Sequence, residues 1–145
     1  MVTDMHELQE EHKVLNQIIT TETDFLKCGI TGWCLEVVWT GMLNFFHFDK
    51  KMTSNTSILM FPIYGMAAFI KPISHLLSKR NVLFRGSIYT VLIFTIEFIT
   101  GNALKKKEMC PWDYSKSRYN IKGLIRLDYA PAWFAVGLLY EKILN

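Results

Sequence analysis

Apolar residues along this chain gather into four long runs instead of being scattered over amphipathic faces. The runs cover approximately residues 25–48, 58–77, 86–104 and 124–144, each close to the roughly 20 residues that a helix needs to cross about 30 Å of hydrocarbon. Ahead of them, Met5, Leu8, Leu15, Ile18 and Ile19 recur at helical spacing among acidic and polar residues, which predicts a short amphipathic helix over residues 3–20. The pattern predicts an all-α, polytopic membrane protein. Residues 1–24 are expected to form an amphipathic N-terminal helix, and residues 25–145 a four-helix transmembrane bundle.

The stretches between the runs carry the polar markers of membrane boundaries: "HFDKKMTSNTS", "SKRNVLFR" and residues 105–123. Their irregular backbone belongs outside the hydrocarbon, where water can pair its amides. Four crossings place both termini and the 78–85 loop on one side, with the 49–57 and 105–123 loops on the other. Basic residues are shared almost evenly between the two sides, so they favour a cytoplasmic third loop only by a small margin.

Composition narrows the function classes. Half of the residues are hydrophobic and 14% are aromatic, rich for a domain in water. The net charge of +3 and the lack of a long basic patch with stacking aromatics give no reason to expect a nucleic-acid partner. Residues 1–24 carry Asp4, Glu7, Glu10, Glu11, Glu22 and Asp24, unlike a secretory leader, so internal segments are expected to direct insertion. Cys28, Cys34 and Cys110 form no CxxC pair, and Cys28 and Cys34 read as small packing residues. His47 and His75 end different runs on opposite faces, so no metal and no cofactor are expected. No G-x-x-x-x-G-K-[ST] phosphate loop occurs, which argues against an ATPase.

Within the runs, the charged residues carry the functional signal. Glu36, in "GWCLEVVWTG", and Glu97, in "VLIFTIEFITG", fall near the middle of the first and third runs. A carboxylate there costs roughly 2.5–3.5 kcal/mol on insertion scales, so both should face the bundle interior. The two helices run in the same direction, which brings the carboxyls to similar depth. Lys71, Arg126 and Asp128 are further candidates for the same polar pocket. The alternative is that these charges neutralise one another and only specify helix packing.

The segment "MCPWDYS" is the last signal. Pro111 stops a helix and keeps Cys110 extended. Trp112 and Tyr114 suit a membrane interface, while Asp113 and Ser115 can satisfy backbone donors in a turn. The turn reads either as an interfacial anchor or as a lid that closes a pocket lined by Glu36, Glu97 and Asp113.

The combination "GWCLEVVWTG", "FPIYG", "TIEFITG" and "CPWDYSKSRYNIKGLIRLDYAPAWFAVGLLYE" resembles the transmembrane protein 229 family and the related bacterial ABC-transporter type IV group, over residues 25–144. The resemblance makes Glu36, Glu97, Trp112, Asp113, Tyr114, Ser115, Asn120 and Gly123 the motif positions. It implies a polytopic membrane protein and suggests a permease role without supplying a chemistry. A small transport-related or accessory membrane subunit is therefore expected, alongside membrane lipids and a homo-oligomer or partner membrane subunit. A membrane-embedded enzyme acting on a lipid, and an assembly subunit whose charges only hold helices together, are the alternatives.

Overall fold

A computed structural model describes residues 2–145, with the side chains of His6 and of residues 8–145. The chain is mostly helical, with a small antiparallel hairpin that the all-α expectation did not include. Helix α1 runs unbroken over Val2–Phe46, so the amphipathic segment and the first apolar run are one rod of about 68 Å. No Gly or Pro occurs before Gly29 to interrupt it. Residues 8–23 are all exposed, and packing begins at Asp24. From there Asp24, Cys28, Gly29, Gly32 and Gly41 mark one buried stripe at helical spacing.

After α1 the chain doubles back along it. Asp49 anchors this turn by accepting hydrogen bonds from the amides of Lys51 and Thr53. Polar side chains then tie residues 53–56 to the helix: Asn44 donates to the Thr53 carbonyl, and Thr40 bonds Ser54. The second run forms α2 (Met60–Gly65), a 3₁₀ turn (Met66–Phe69) and α3 (Ile70–Leu76). Pro72 has no N–H for the Ala68 carbonyl, which accounts for the tightened turn before it. Asn81 caps α4 (Val82–Lys105) by accepting from the Phe84 amide at 2.8 Å. Strands β1 (Asn120–Ile121) and β2 (Ile125–Arg126) pair Asn120 with Arg126 and Ile121 with Ile125. A 3₁₀ turn, Leu127–Tyr129, leads into α5 (Ala130–Leu144), with Pro131 in its first turn.

Among the described residues, only α4 is long and apolar enough to cross a membrane by length and composition. The structure therefore does not by itself support four spans. Lys27 and Glu36 dilute the first run, the 3₁₀ turn breaks the second, and the hairpin takes the start of the fourth. The buried core, Cys28, Ala67, Ile70, Tyr89, Tyr140 and Leu144, lies where α1, α3, α4 and α5 meet. Cys34, by contrast, is exposed, so only Cys28 is a packing residue.

Candidate functional site

One partly enclosed cavity of about 120 Å³ lies between α1, the second helical run, α4 and α5. Glu36 from α1 and Glu97 from α4 both line it. Met60, Ile63, Ala67 and Ile70 form its wall on the second run, and Leu92, Ile93 and Ile96 form its wall on α4. The remaining lining is aromatic: Tyr64, Trp112, Tyr114, Tyr129, Trp133 and Tyr140.

The two glutamates are held differently. Glu36 Oε2 accepts from Thr56 Oγ1 at 2.9 Å, and Thr56 Oγ1 in turn accepts from Trp33 Nε1 at 2.9 Å. The returning 53–56 segment thus orients Glu36. Glu97 has Tyr114 and Trp133 beside it, yet its Oε2 is buried with no hydrogen-bond partner. Trp133 Nε1 is also buried and unpartnered. Unpaired buried polar atoms are rare in folded proteins, because each forfeits its hydration. Glu97 and Trp133 thus set an acceptor and a donor side by side on the cavity lining.

The segment beside the cavity is built from Trp112, Asp113, Tyr114 and Ser115 of the "MCPWDYS" stretch. Trp112 Nε1 donates to the Leu124 carbonyl at 2.9 Å, and the Tyr114 amide donates to the Gly123 carbonyl at 2.9 Å. The Asp113 carboxylate accepts from the Ser115 hydroxyl and amide. These bonds, the hydroxyl's first, hold the Asp113 carboxyl below its usual range. Asn120 donates to the Ser117 carbonyl and accepts from the Gly123 amide at 2.8 Å. Lys122 (φ 53°) and Gly123 (φ 71°) form the tight turn of the β1–β2 hairpin, closed by the Leu124 amide on the Ile121 carbonyl. At Gly101 a Cβ would lie 2.8 Å from the Trp112 ring, so the glycine lets the indole lie against α4. The motif residues therefore aim two aromatic rings, Trp112 and Tyr114, into the cavity.

Four of the residues grouped with Glu36 and Glu97 from sequence lie elsewhere. Lys71 ion-pairs with Asp24 at 2.5 Å, because it sits one position past the cavity-lining Ile70 and so points around the helix toward α1. Asp113 is consumed in its own turn. Arg126 and Asp128 pair with each other through two hydrogen bonds. The Arg126 guanidinium stacks 4.3 Å from the Tyr129 ring centroid and donates to the Tyr129 hydroxyl, which keeps it off the cavity lining. Sequence reading missed Tyr64, Tyr129, Trp133, Tyr140 and Thr56. The spacing of Tyr129, Trp133 and Tyr140, by four and then seven residues, marks one face of α5 and could have revealed three of them.

No group of three or more potential metal ligands occurs among the described residues. The arrangement is that of a helical protein with a small carboxylate-bearing aromatic cavity, lined in part by the Trp112–Ser115 turn. The family described as "Putative ABC-transporter type IV" matches residues 23–145, and the chain belongs to that family. The match begins beside Asp24, where α1 starts to pack. No solved structure matches the chain.

Proposed function

We propose that this chain is a multi-pass membrane protein with a transport-related or accessory role, and that the cavity holding Glu36 and Glu97 is its ligand site. The observation that carries the reading is that these two carboxylates share one cavity while, among the described residues, the other part-buried charges are ion-paired or, for Asp49, bound to backbone amides. Asp24 pairs with Lys71, Arg85 with Glu141 and Arg126 with Asp128. Helix packing therefore accounts for those charges, and among the described residues no ion pair involves Glu36 or Glu97.

The outer surface supports the membrane part of the reading. On α4, Leu83, Val91 and Ile99 are 72%, 62% and 61% exposed. Ile30 and Val38 on α1, and Phe69 and Leu76 on the second run, are also exposed. So much outward apolar surface suits hydrocarbon and is unusual in water. The family's transporter name favours solute handling over a purely structural role.

The test is thiol accessibility in reconstituted vesicles, on a background with Cys28, Cys34 and Cys110 replaced. Methyl methanethiosulfonate, which is small and uncharged, should modify Ile93→Cys on the cavity wall at least about tenfold faster than Val91→Cys on the outer surface of α4, since a thiol facing hydrocarbon does not ionise. Equal, slow modification at both positions would mean a sealed cavity and would remove the ligand-site reading.

A further inference from the structure

We propose that the occupant of this cavity is a small organic ammonium ion, an inference that rests on the ligand-site reading above. Charge comes first. Two carboxylates line the cavity, and none of its described lining residues is Lys, Arg or His. Arg126 lies over two of the lining rings, 4.3 Å from Tyr129 and 6.0 Å from Tyr114, but it is locked to Asp128 and forms no ion pair with either glutamate. An anionic ligand would find no counter-ion here, whereas a cation would favour the ionised form of either glutamate and pair with it.

The wall chemistry narrows the cation. Six aromatic rings line the space, and aromatic faces attract ammonium groups through their quadrupoles, more strongly when water is excluded. A bare metal ion would instead demand several oxygen ligands, and the described residues offer no such group. The unpartnered Glu97 Oε2 is an acceptor ready for an N–H or for the charge of an alkylated nitrogen. Size sets the limit. At about 120 Å³, the cavity is somewhat smaller than the roughly 150 Å³ that holds a benzene molecule. It fits an ammonium head with a few carbons, and anything longer must leave its remainder outside. The head could therefore arrive as a free amine or quaternary ammonium, or as the headgroup of a lipid.

The experiment uses the full chain in nanodiscs of phosphatidylglycerol, whose headgroup carries no ammonium. Thermal unfolding and tryptophan emission are followed while tetramethylammonium chloride, ethylammonium chloride, sodium chloride or tert-butanol is added. At least one ammonium salt should raise Tm and change emission saturably, whereas sodium chloride and the uncharged tert-butanol should not. Glu36→Gln and Glu97→Gln keep side-chain shape, and each should weaken apparent ammonium affinity about tenfold or more, as expected for losing a charge-assisted contact. Should E97Q fail to fold, E36Q carries the same expectation, because an amide can still accept from Thr56. In phosphatidylcholine nanodiscs, a Tm already raised and insensitive to added salt would identify a lipid headgroup as the source. An unchanged titration would identify a free solute. Inert ammonium salts in phosphatidylglycerol, an equal response to tert-butanol, or unaltered affinity in both glutamine variants would overturn the proposal. If Ile93→Cys still reacts rapidly in that case, the ligand site stands and only its ammonium character falls.

Discussion

Gly123 shows how a single residue sets the position of the Trp112–Ser115 turn. Its φ of 71° lies in the left-handed region, and a Cβ there would lie 2.5 Å from Ser115 Oγ and 2.9 Å from Asp113 Oδ1. Any side chain would thus strain the backbone and push apart the turn that carries Trp112 and Tyr114. Gly123→Ala should destabilise the protein by about 1–3 kcal/mol, read as a lower Tm together with altered tryptophan emission. Asp113 gives the same turn a pH limit. Its folded carboxyl is held below the ordinary value of 3.8, so its contribution is fully present above that value and is lost as pH falls through the lower folded one. Emission from Trp112, isolated by replacing the other tryptophans with Phe, should show a shift at acidity below the ordinary carboxyl value of 3.8. In Asp113→Asn that acid-dependent shift should be missing.

At the scale of elements, the contrast between Glu36 and Lys71 shows what was legible in the sequence. A carboxylate in an apolar run is costly wherever it points, so Glu36 and Glu97 could be placed in the interior from their position alone. Lys71 could be assigned a depth but not an azimuth, and one residue of rotation around α3 takes it from the cavity wall to Asp24. The four apolar runs predicted where helices form, and Pro111 marked the end of α4's extension. The joining of α1 across residues 20–25 was not legible, because amphipathic and apolar stretches both favour helix and no breaker separates them. The hairpin was hidden for the opposite reason: two-residue strands leave no periodicity, and their signal lies in the Lys122–Gly123 turn. The Asp24–Lys71 pair tests the docking of the second run on α1. Asp24 is only 7% exposed at its side chain while Lys71 is 28% exposed. Lys71→Ala should therefore cost about 2 kcal/mol, below the figure for a fully buried pair. Asp24→Leu combined with Lys71→Met should recover most of that loss, because no buried charge is then left alone. A double variant as unstable as Lys71→Ala would show that the pair contributes something other than charge compensation.

For the whole molecule, the proposed multi-pass arrangement makes a definite claim about how many elements cross the bilayer. A single crossing by α4 would leave Ile30, Val38, Phe69 and Leu76, all more than half exposed, facing water or headgroups. It would also place Glu36 and Glu97, which share a cavity, in different environments. Four crossings avoid both costs, although α5 alone spans only about 22 Å. The hairpin then supplies the missing length, with Ile125 buried beneath it. The two arrangements differ in where the 47–52 and 77–81 turns lie. Single cysteines at Lys50, Ser78 and Lys106, probed with a membrane-impermeant maleimide in oriented vesicles, separate them. Under four crossings, Lys50→Cys and Lys106→Cys should label from one face and Ser78→Cys from the other. If Lys50→Cys and Ser78→Cys label from the same face, with Lys106→Cys opposite, α4 crosses without the second run and the multi-pass reading is wrong. The cavity would then lie at the membrane boundary, where water can reach the carboxylates and weaken the charge argument for a bound cation.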